Sequence, residues 1–184
     1  MIGLERGKVK LCPHITEWDT EAAQTISELK ELLGDASLDI QHVGSTSIPT
    51  IMAKPIIDIA VAADSFPEIL ELEQLLLSRG YYYRPIASTD GQLLFAKGSF
   101  YDGTGKLQTH FIHVVPKDSE EWKNYLLFRD YLRNFPDVAE RYEALKLSLA
   151  RSVSEENARE EYVSGKADFI TKTIKEARDF FKNT

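Results

Sequence analysis

A small-residue turn and a lone acid lie close together in the stretch HVGSTSIPTIMAKPIIDIAVAAD, residues 42–64. The turn, Gly44–Ser47, offers backbone N–H groups and hydroxyls, and its glycine lets a ligand approach the main chain without a Cβ in the way. Asp58 follows inside an apolar run, where a carboxylate is unfavourable unless it is paired, hydrogen-bonded or bound to a cation. Together the two features indicate a site for an anion such as phosphate, whereas GSTS alone more often forms an ordinary turn.

The partner of Asp58 has several candidates. Lys54 or an arginine would pair with it in a structural salt bridge, and Lys54 would equally reach a bound phosphate. His113 would share one cation with Asp58 if their strands are neighbours, and an Asp and a His with waters suit Mn²⁺ or Zn²⁺ better than Mg²⁺. The alternative is that His113 is a hydrogen-bonded core histidine. His110 is not a substitute, because positions 110 and 113 of a regular strand face opposite ways.

Two arginines lie one helical turn apart in the segment FRDYLR, residues 128–133. A bidentate arginine for phosphate is the functional interpretation, and a solvated helix face is the structural one. The second interpretation is favoured for Arg133, whereas both remain open for Arg129.

Length and composition limit the class of protein. The 184 residues are 43% hydrophobic, which is enough for one well-buried core. The net charge of -7 argues against broad nucleic-acid binding but allows a small anion such as a nucleotide. Cys12 is the only cysteine, so neither an intrachain disulfide nor a thiolate metal cluster is expected. No signal peptide or membrane span is recognisable, so the cytoplasm is the expected location.

Hydrophobic periodicity predicts an α+β fold in a single domain, residues 1–184. A mixed sheet of about five strands packed with helices occupies 1–117, and a helical half packed on this core occupies 118–184. Strands are predicted in the segments 38–44, 55–63, 81–86, 92–101 and 107–115. Helices are predicted in the segments 16–34, 65–80, 119–135, 136–152 and 154–183. Alternation along 55–63 places Ile56, Asp58 and Ala60 on one face, and Ile57, Ile59 and Val61 on the other.

Several segments of the chain resemble the GrpB family, whose fold is of the nucleotidyltransferase superfamily type. They are HVGSTSIPTIMAKPIIDIAV, HVV, FRDYLRNFPDVAERYEALK and YVSGKADFI. The resemblance extends from about Gly7 to Ala177 and implies a nucleotidyltransferase-like core in 1–117. It also implies that Gly44 and Ser45 hold the outer phosphates of a nucleotide. Asp58 would then be the first acid of an Asp-x-Asp pair that binds Mg²⁺.

Two positions depart from the family pattern. Ala60 stands where the second acid of the pair is expected, and Phe111 stands in place of the first histidine of a His-x-His. A single strand carboxylate is a poor ligand set for two metal ions, so the resemblance leaves catalytic activity open.

The expected function is nonetheless specific. We expect a nucleoside triphosphate to bind with a divalent cation, Mg²⁺ or Mn²⁺, and its nucleotidyl group to pass to an unidentified hydroxyl acceptor. The expected nucleotide-binding residues are Gly44, Ser45, Ser47, Lys54 and Arg129; Asp58 is the expected catalytic residue, and Asp58 and His113 are the expected metal ligands. The alternatives are a non-catalytic nucleotide or metabolite binder, and a phosphate-transfer enzyme that uses His113 and one metal.

Overall fold

The chain folds into a mixed β-sheet with helices on both faces. This is seen in a computed structural model that describes residues 1–154 and 158–182. The strands are β1 (Leu4–Glu5), β2 (Asp39–Val43), β3 (Ile57–Ala63), β4 (Tyr82–Tyr83), β5 (Leu93–Lys97), β6 (Leu107–Gln108) and β7 (His110–Pro116). The helices are α1 (Thr16–Leu33), α2 (Phe66–Glu71), α3 (Glu73–Ser78), α4 (Glu120–Asn134), α5 (Pro136–Ser152), α6 (Ala158–Ser164) and α7 (Ala167–Lys182).

The main sheet has five strands in the order β2-β3-β7-β5-β4. Strands β3 and β7 run parallel, and the other neighbours in this sheet are antiparallel. Strands β1 and β6 form a separate antiparallel pair. The predicted α+β fold with a mixed sheet of about five strands is therefore confirmed.

The central strand β3 presents two different faces, as its alternation predicted. Ile57, Ile59 and Val61 belong to the larger core, which includes Trp18 and Leu29 of α1. On the opposite face, the small side chains of Ala60 and Ala62 pack with Val43, Val115 and Trp122 of α4. Asp58 shares the face of Ala60, because side chains two positions apart on a strand point the same way. The acid therefore faces the second half of the chain.

Helices from the second half pack on the segment between β2 and β3. Ile48 and Ile51 are buried against Phe128 of α4 and against Val138 and Tyr142 of α5. This apolar contact fixes the helices above the Gly44–Ser47 turn. Within residues 1–154 and 158–182, every helix is too short or too polar to cross a membrane.

Two predicted helices are each divided in the structure. The segment 65–80 is interrupted at Leu72, whose N–H bonds to the carbonyl of Ile69, three residues back. The segment 154–183 is interrupted around Gly165, where a Cβ would lie 2.5 Å from a methyl carbon of Leu149. The close passage over α5 thus requires a residue without a Cβ at this point, and glycine also has low helix propensity. Residues 155–157 and 183 of this predicted helix lie outside the described residues.

Two predicted strands are shorter than expected. The segment 81–86 pairs only at Tyr82–Tyr83, because Pro85 begins a 3₁₀ turn and has no N–H for the ladder. The segment 92–101 ends its pairing at Lys97, before Gly98 with a φ of 134°. Both differences concern the ends of strands on the β4 side of the sheet and leave its centre as predicted.

Candidate functional site

The turn after β2 is built around a backbone conformation that only glycine adopts readily. Gly44 has φ 70° and ψ -173°, and Ser45–Ser47 follow as a 3₁₀ turn. A Cβ on Gly44 would lie 2.5 Å from Oδ2 of Asp58. The structure thus brings the small-residue turn and the lone acid into direct contact, because Gly44 has only a hydrogen where another residue would have a Cβ.

The hydroxyls of the turn have different surroundings. Ser47 is fully buried and its Oγ donates to the carbonyl of Gly44 at 2.7 Å. Thr46 is buried as well, and its Oγ1 lies 3.0 Å from Nε2 of His42. Ser45 lines the adjoining cavities. Ser45 is therefore the serine of this turn that lines the cavities, whereas Ser47 hydrogen-bonds within the turn.

Asp58 and His113 form the polar centre of the site. Their strands β3 and β7 are neighbours, and Nε2 of His113 lies 3.3 Å from Oδ1 of Asp58. The side chains are 18% and 31% exposed for His113 and Asp58, so both reach solvent or a ligand. Nδ1 of His113 is buried and has no hydrogen-bond partner among the described residues. A hydrogen bond between the two side chains requires a proton on Nε2, because the carboxylate can only accept.

His110 lies on the other face of the sheet, as its position in the strand predicted. Its Nε2 is 3.2 Å from Oγ1 of Thr25 and 3.3 Å from the carboxylate of Glu21. Burial lowers the pKa of His110 to about 4, so the ring is neutral near pH 7. His110 therefore takes no part in the site around Asp58.

A cavity of about 380 Å³ opens beside the turn and the acid. Its polar floor contains Ser45, Asp58 and His113, and most of its other lining is apolar or aromatic. The residues from the helical half are Glu121, Asn124, Tyr125, Phe128, Tyr142, Lys166, Ile170 and Ile174. A mostly apolar wall with a few convergent polar groups is the usual make-up of a small-molecule site. We call this space the large cavity.

A second, smaller cavity of about 260 Å³ adjoins the first. Lys54, Arg159 and Lys166 line it together with the rings of Phe111 and Tyr162. The two cavities share Ser45, Asp58, His113 and Lys166. The Asp58–His113 pair therefore stands at the boundary between an aromatic space and a cationic one.

The lysines around this boundary are less basic than usual. Burial, followed by the charge of Lys166, lowers the pKa of Lys54 to about 8. The same causes lower the pKa of Lys146, which is 1% exposed, to about 7. Burial also lowers the pKa of Lys166, and the charge of Asp58 opposes that change. Positive charge is therefore concentrated here at a free-energy cost that a bound anion would reduce.

The two arginines of α4 hydrogen-bond to β2 and to the turn that follows it. Nη1 of Arg129 donates to Oε1 of Gln41 at 2.9 Å and to the carbonyl of His42 at 3.1 Å, so this residue supports β2 and lines neither cavity. Arg133 is exposed, as a solvated helix face predicts, yet its Nε and Nη2 donate to the carbonyl of Ser47 at 2.9 and 2.7 Å. Arg133 thus lies on an exposed helix face and also holds the carbonyl of Ser47, which the sequence did not indicate.

The acidic side chains at this site are suited to bind one divalent cation and not two. In the part of the chain that the structure describes, no three His, Cys, Asp or Glu side chains converge as a metal site. Ala60, the position of the missing second acid, lies opposite His113 in the strand register. Asp58 can hold one cation whose other ligands are phosphate oxygens and waters, as Mg²⁺ commonly is held. Within β3, Asp58 is the only acid, so this strand offers no second carboxylate for a second cation.

Several residues of the site were not singled out from the sequence. Tyr125, Phe128 and Tyr142 stood out only as apolar positions of amphipathic helices, and their exposure to a cavity depends on how those helices pack. Arg159 lies in the acidic segment AREEY, which gives it the signature of a solvated surface residue. Lys166 lies in the segment YVSGKADFI, which contributes to the family resemblance.

Comparison with known proteins agrees with this architecture. The family model described as GrpB protein matches residues 8–176. The glutamate-rich protein GrpB of Alkalihalophilus pseudofirmus is 35% identical over 177 residues, which cover 96% of this chain and 99% of that protein. A crystal structure of the conserved protein GrpB from Enterococcus faecalis superposes with a TM-score of 0.82 at 29% identity, covering 94% of this chain and 99% of that one.

A more distant structural neighbour is Cid1, solved in complex with its short product ApU. It has a TM-score of 0.51 at 13% identity and covers 73% of this chain and 41% of its own. At this identity the likeness shows the fold alone, which is nucleotidyltransferase-like, as the sequence predicted. With the family model matching residues 8–176, the chain belongs to the GrpB family.

Proposed function

We propose that this protein binds a nucleoside triphosphate with one divalent cation and transfers its nucleotidyl group to a hydroxyl acceptor. The observation that supports this most is the contact between Gly44 and Asp58, where a Cβ would lie 2.5 Å from the carboxylate. The contact presents the amides of a turn and a carboxylate to the same space. Phosphate oxygens bind the amides, and a cation that bridges to the carboxylate binds the same phosphates.

The large cavity accommodates the nucleoside. Its volume of about 380 Å³ lies within the range usual for small-molecule sites. Tyr125, Phe128 and Tyr142 line it, and aromatic rings of this kind stack on bases with little preference for sequence. The phosphates would then lie at Gly44 and Ser45, on the floor of the same cavity.

The proposed reaction is a displacement at the α-phosphorus. The acceptor oxygen forms a bond to that phosphorus, the bond to the bridging oxygen of the β-phosphate breaks, and pyrophosphate leaves with its electron pair. The proton of the hydroxyl passes to solvent. A bound cation would neutralise charge on the phosphates. Asp58 would bind that cation, and an Nε2–H of His113, 3.3 Å from Oδ1 of Asp58, would orient the carboxylate.

The solved neighbours give limited support. Cid1 has been solved in a form bound to MgATP and superposes on this chain with a TM-score of 0.50 at 13% identity. The shared fold is thus compatible with a nucleotide and a cation, and the choice of base and acceptor belongs to each protein's own residues.

The test is isothermal titration calorimetry of the metal-stripped full chain with ATP, GTP, CTP and UTP, each with and without Mg²⁺ or Mn²⁺. We expect at least one nucleotide to bind more tightly with the cation, and Asp58→Asn to remove that gain. The matched control is Asp64→Asn, because Asp64 is an exposed acid that directly follows β3 and lines neither cavity.

Two results would contradict the proposal. Absence of binding by all four nucleotides would mean that the turn does not hold phosphates. Binding that is equally tight without a cation, and unchanged in Asp58→Asn, would assign the site to a nucleotide binder without cation-assisted transfer.

A further inference from the structure

We infer that the smaller cavity is a second anion site, which holds the phosphate group of a small phosphate monoester bearing a free hydroxyl. Its role as the acceptor site rests on the proposed function, with the nucleotide in the large cavity. The inference identifies the acceptor by its chemistry, which neither the fold nor the family resemblance specifies.

Three cations line the smaller cavity, and Asp58 is the one carboxylate among its lining residues in the part of the chain that the structure describes. Lys54, Arg159 and Lys166 are each half-buried. Within residues 1–154 and 158–182, none of the three forms an ion pair. Three half-buried cations against one carboxylate leave an excess of positive charge, which raises the free energy of the folded state and indicates that a ligand supplies further negative charge.

Aromatic rings hold these cations in position. The Nζ atoms of Lys54 and Lys166 lie 5.0 and 4.6 Å from the centroid of the Tyr162 ring, which is 1% exposed. The guanidinium carbon of Arg159 lies 5.4 Å from the centroid of the Phe111 ring. Contacts of this kind are weakly attractive and restrict flexible side chains. The cations are therefore ordered before an anion arrives, which reduces the entropy lost on binding.

The two cavities differ in their lining residues, so they would bind different ligands. Arg159 and Phe111 line the smaller cavity and not the large one, whereas Tyr125 and Tyr142 line only the large one. A nucleoside that stacks on the tyrosines therefore leaves the arginine free for a second molecule. Asp58 lines both, so a hydroxyl in the smaller cavity lies next to the place proposed for the α-phosphate.

Phe111 gains an explanation from this arrangement. The family resemblance led us to expect a histidine at this position, and the phenylalanine instead packs beneath Arg159. The phenylalanine ring offers the guanidinium of Arg159 an aromatic face to pack on. The departure from the pattern therefore suits an anion site.

Size and charge define the ligand. A volume of about 260 Å³ is enough for one phosphate group and a short polyol. The net charge of -7 opposes a polynucleotide, whose phosphates would extend beyond the cationic lining. The chemistry thus favours a small sugar or polyol phosphate over the end of a nucleic acid.

The experiment measures the two ligands separately by calorimetry. Inorganic phosphate is titrated into the full chain, with and without a saturating non-hydrolysable nucleotide, in wild type, Arg159→Gln and Arg151→Gln. Arg151 is the matched control, because it is an exposed arginine near the end of α5 that lines neither cavity. We expect phosphate to bind the nucleotide-loaded protein. We also expect Arg159→Gln to weaken phosphate at least about tenfold and the nucleotide less than about twofold, which corresponds to loss of one charge-assisted contact.

Other outcomes overturn the inference. It fails if wild type binds no phosphate, if the nucleotide displaces phosphate, or if Arg159→Gln weakens both ligands alike, since the cluster would then hold the triphosphate. It also fails if Arg151→Gln has the same effect as Arg159→Gln. If phosphate binds through Arg159 and no nucleotide binds at all, the proposed function fails and the second anion site stands.

Discussion

The backbone of Gly44 packs directly against the side chain of Asp58, because glycine has no Cβ to separate them. A Cβ built on Gly44 would lie 2.5 Å from Oδ2 and 3.0 Å from Cβ of Asp58. The short separation fixes the distance between the donors of the turn and the acid. The geometry of the site thus depends on one position that tolerates no substitution.

Gly44→Ala is expected to lower stability and to abolish nucleotide binding. The backbone at φ 70° and ψ -173° is strongly unfavourable for alanine, and the new methyl overlaps Asp58. Together these effects are expected to lower the free energy of unfolding by about 3 kcal/mol. Urea unfolding and calorimetry measure the two consequences.

The control for this variant is Gly103→Ala. Gly103 also has a positive φ, of 78°, but no atom lies within 4 Å of a Cβ placed there. Its expected loss is about 1 kcal/mol, with nucleotide binding unchanged. Equal losses in the two variants would show that the contact with Asp58 is unimportant.

Arg133→Ala is expected to loosen the turn from the outside. The side chain donates two hydrogen bonds to the carbonyl of Ser47, at 2.9 and 2.7 Å, and that carbonyl belongs to a buried residue. We expect a loss of about 1–2 kcal/mol in the free energy of unfolding and weaker nucleotide binding. Arg141→Ala, on an exposed face with only a 3.7 Å pair to Asp137, is expected to change stability by less than about 0.5 kcal/mol. Indistinguishable variants would contradict a role of Arg133 in positioning the turn.

Anion binding in the smaller cavity is expected to weaken at high pH. The pKa of Lys54 is lowered to about 8 by burial and by the neighbouring charge of Lys166, while Asp58 opposes and Arg159 adds to that change. An anion binds the protonated lysine, so affinity is retained below pH 8 and falls above it. Sulfate is a suitable probe because its charge stays constant, and its affinity should fall by about tenfold from pH 7.5 to pH 9.5.

Lys54→Arg is the matched variant for this pH dependence, because arginine keeps its charge over the whole range. Its sulfate affinity should change less with pH than that of wild type. An identical pH profile for the two proteins would show that Lys54 does not contact the anion.

Stability is expected to rise from pH 7 to pH 9.5 because of Lys146. Burial, with the charge of Lys166, lowers its folded-state pKa from 10.5 to about 7, so in this range the unfolded chain binds more protons than the folded one. The free energy of unfolding therefore increases with pH. Lys146→Met removes the titrating group, and urea unfolding at the two pH values should show a smaller increase in the variant. An increase as large as that of wild type would contradict the lowered pKa.

Local sequence patterns predicted most of the fold because they act locally. Apolar alternation fixed the faces of β3, and helical spacing with Gly34 as a stop predicted α1 within a residue or two. The divided helices at Leu72 and Gly165 were not predicted, since their apolar spacing continues across the break. At Gly165 a Cβ would meet Leu149 of α5, a close approach that only the folded chain reveals.

The site was predictable in its polar centre and less so in its walls. Gly44, Ser45 and Asp58 carry a local signature, and His113 follows from strand adjacency. The sequence around Arg129 is also consistent with phosphate binding, but in the folded chain its side chain donates to the carbonyl of His42. The cations and rings that line the cavities come from helices whose placement depends on packing between distant segments.

The parallel pairing of β3 with β7 has a consequence for how the chain acquires its site. Asp58 and His113 are 55 residues apart, and parallel strands can pair only after the chain between them has crossed over. Lys166, Ile170 and Ile174 complete the large cavity from near the C-terminus. During synthesis the site cannot close until these residues have left the ribosome. A ligand in the large cavity would therefore bind only a chain in which β3, β7 and α7 have already packed together.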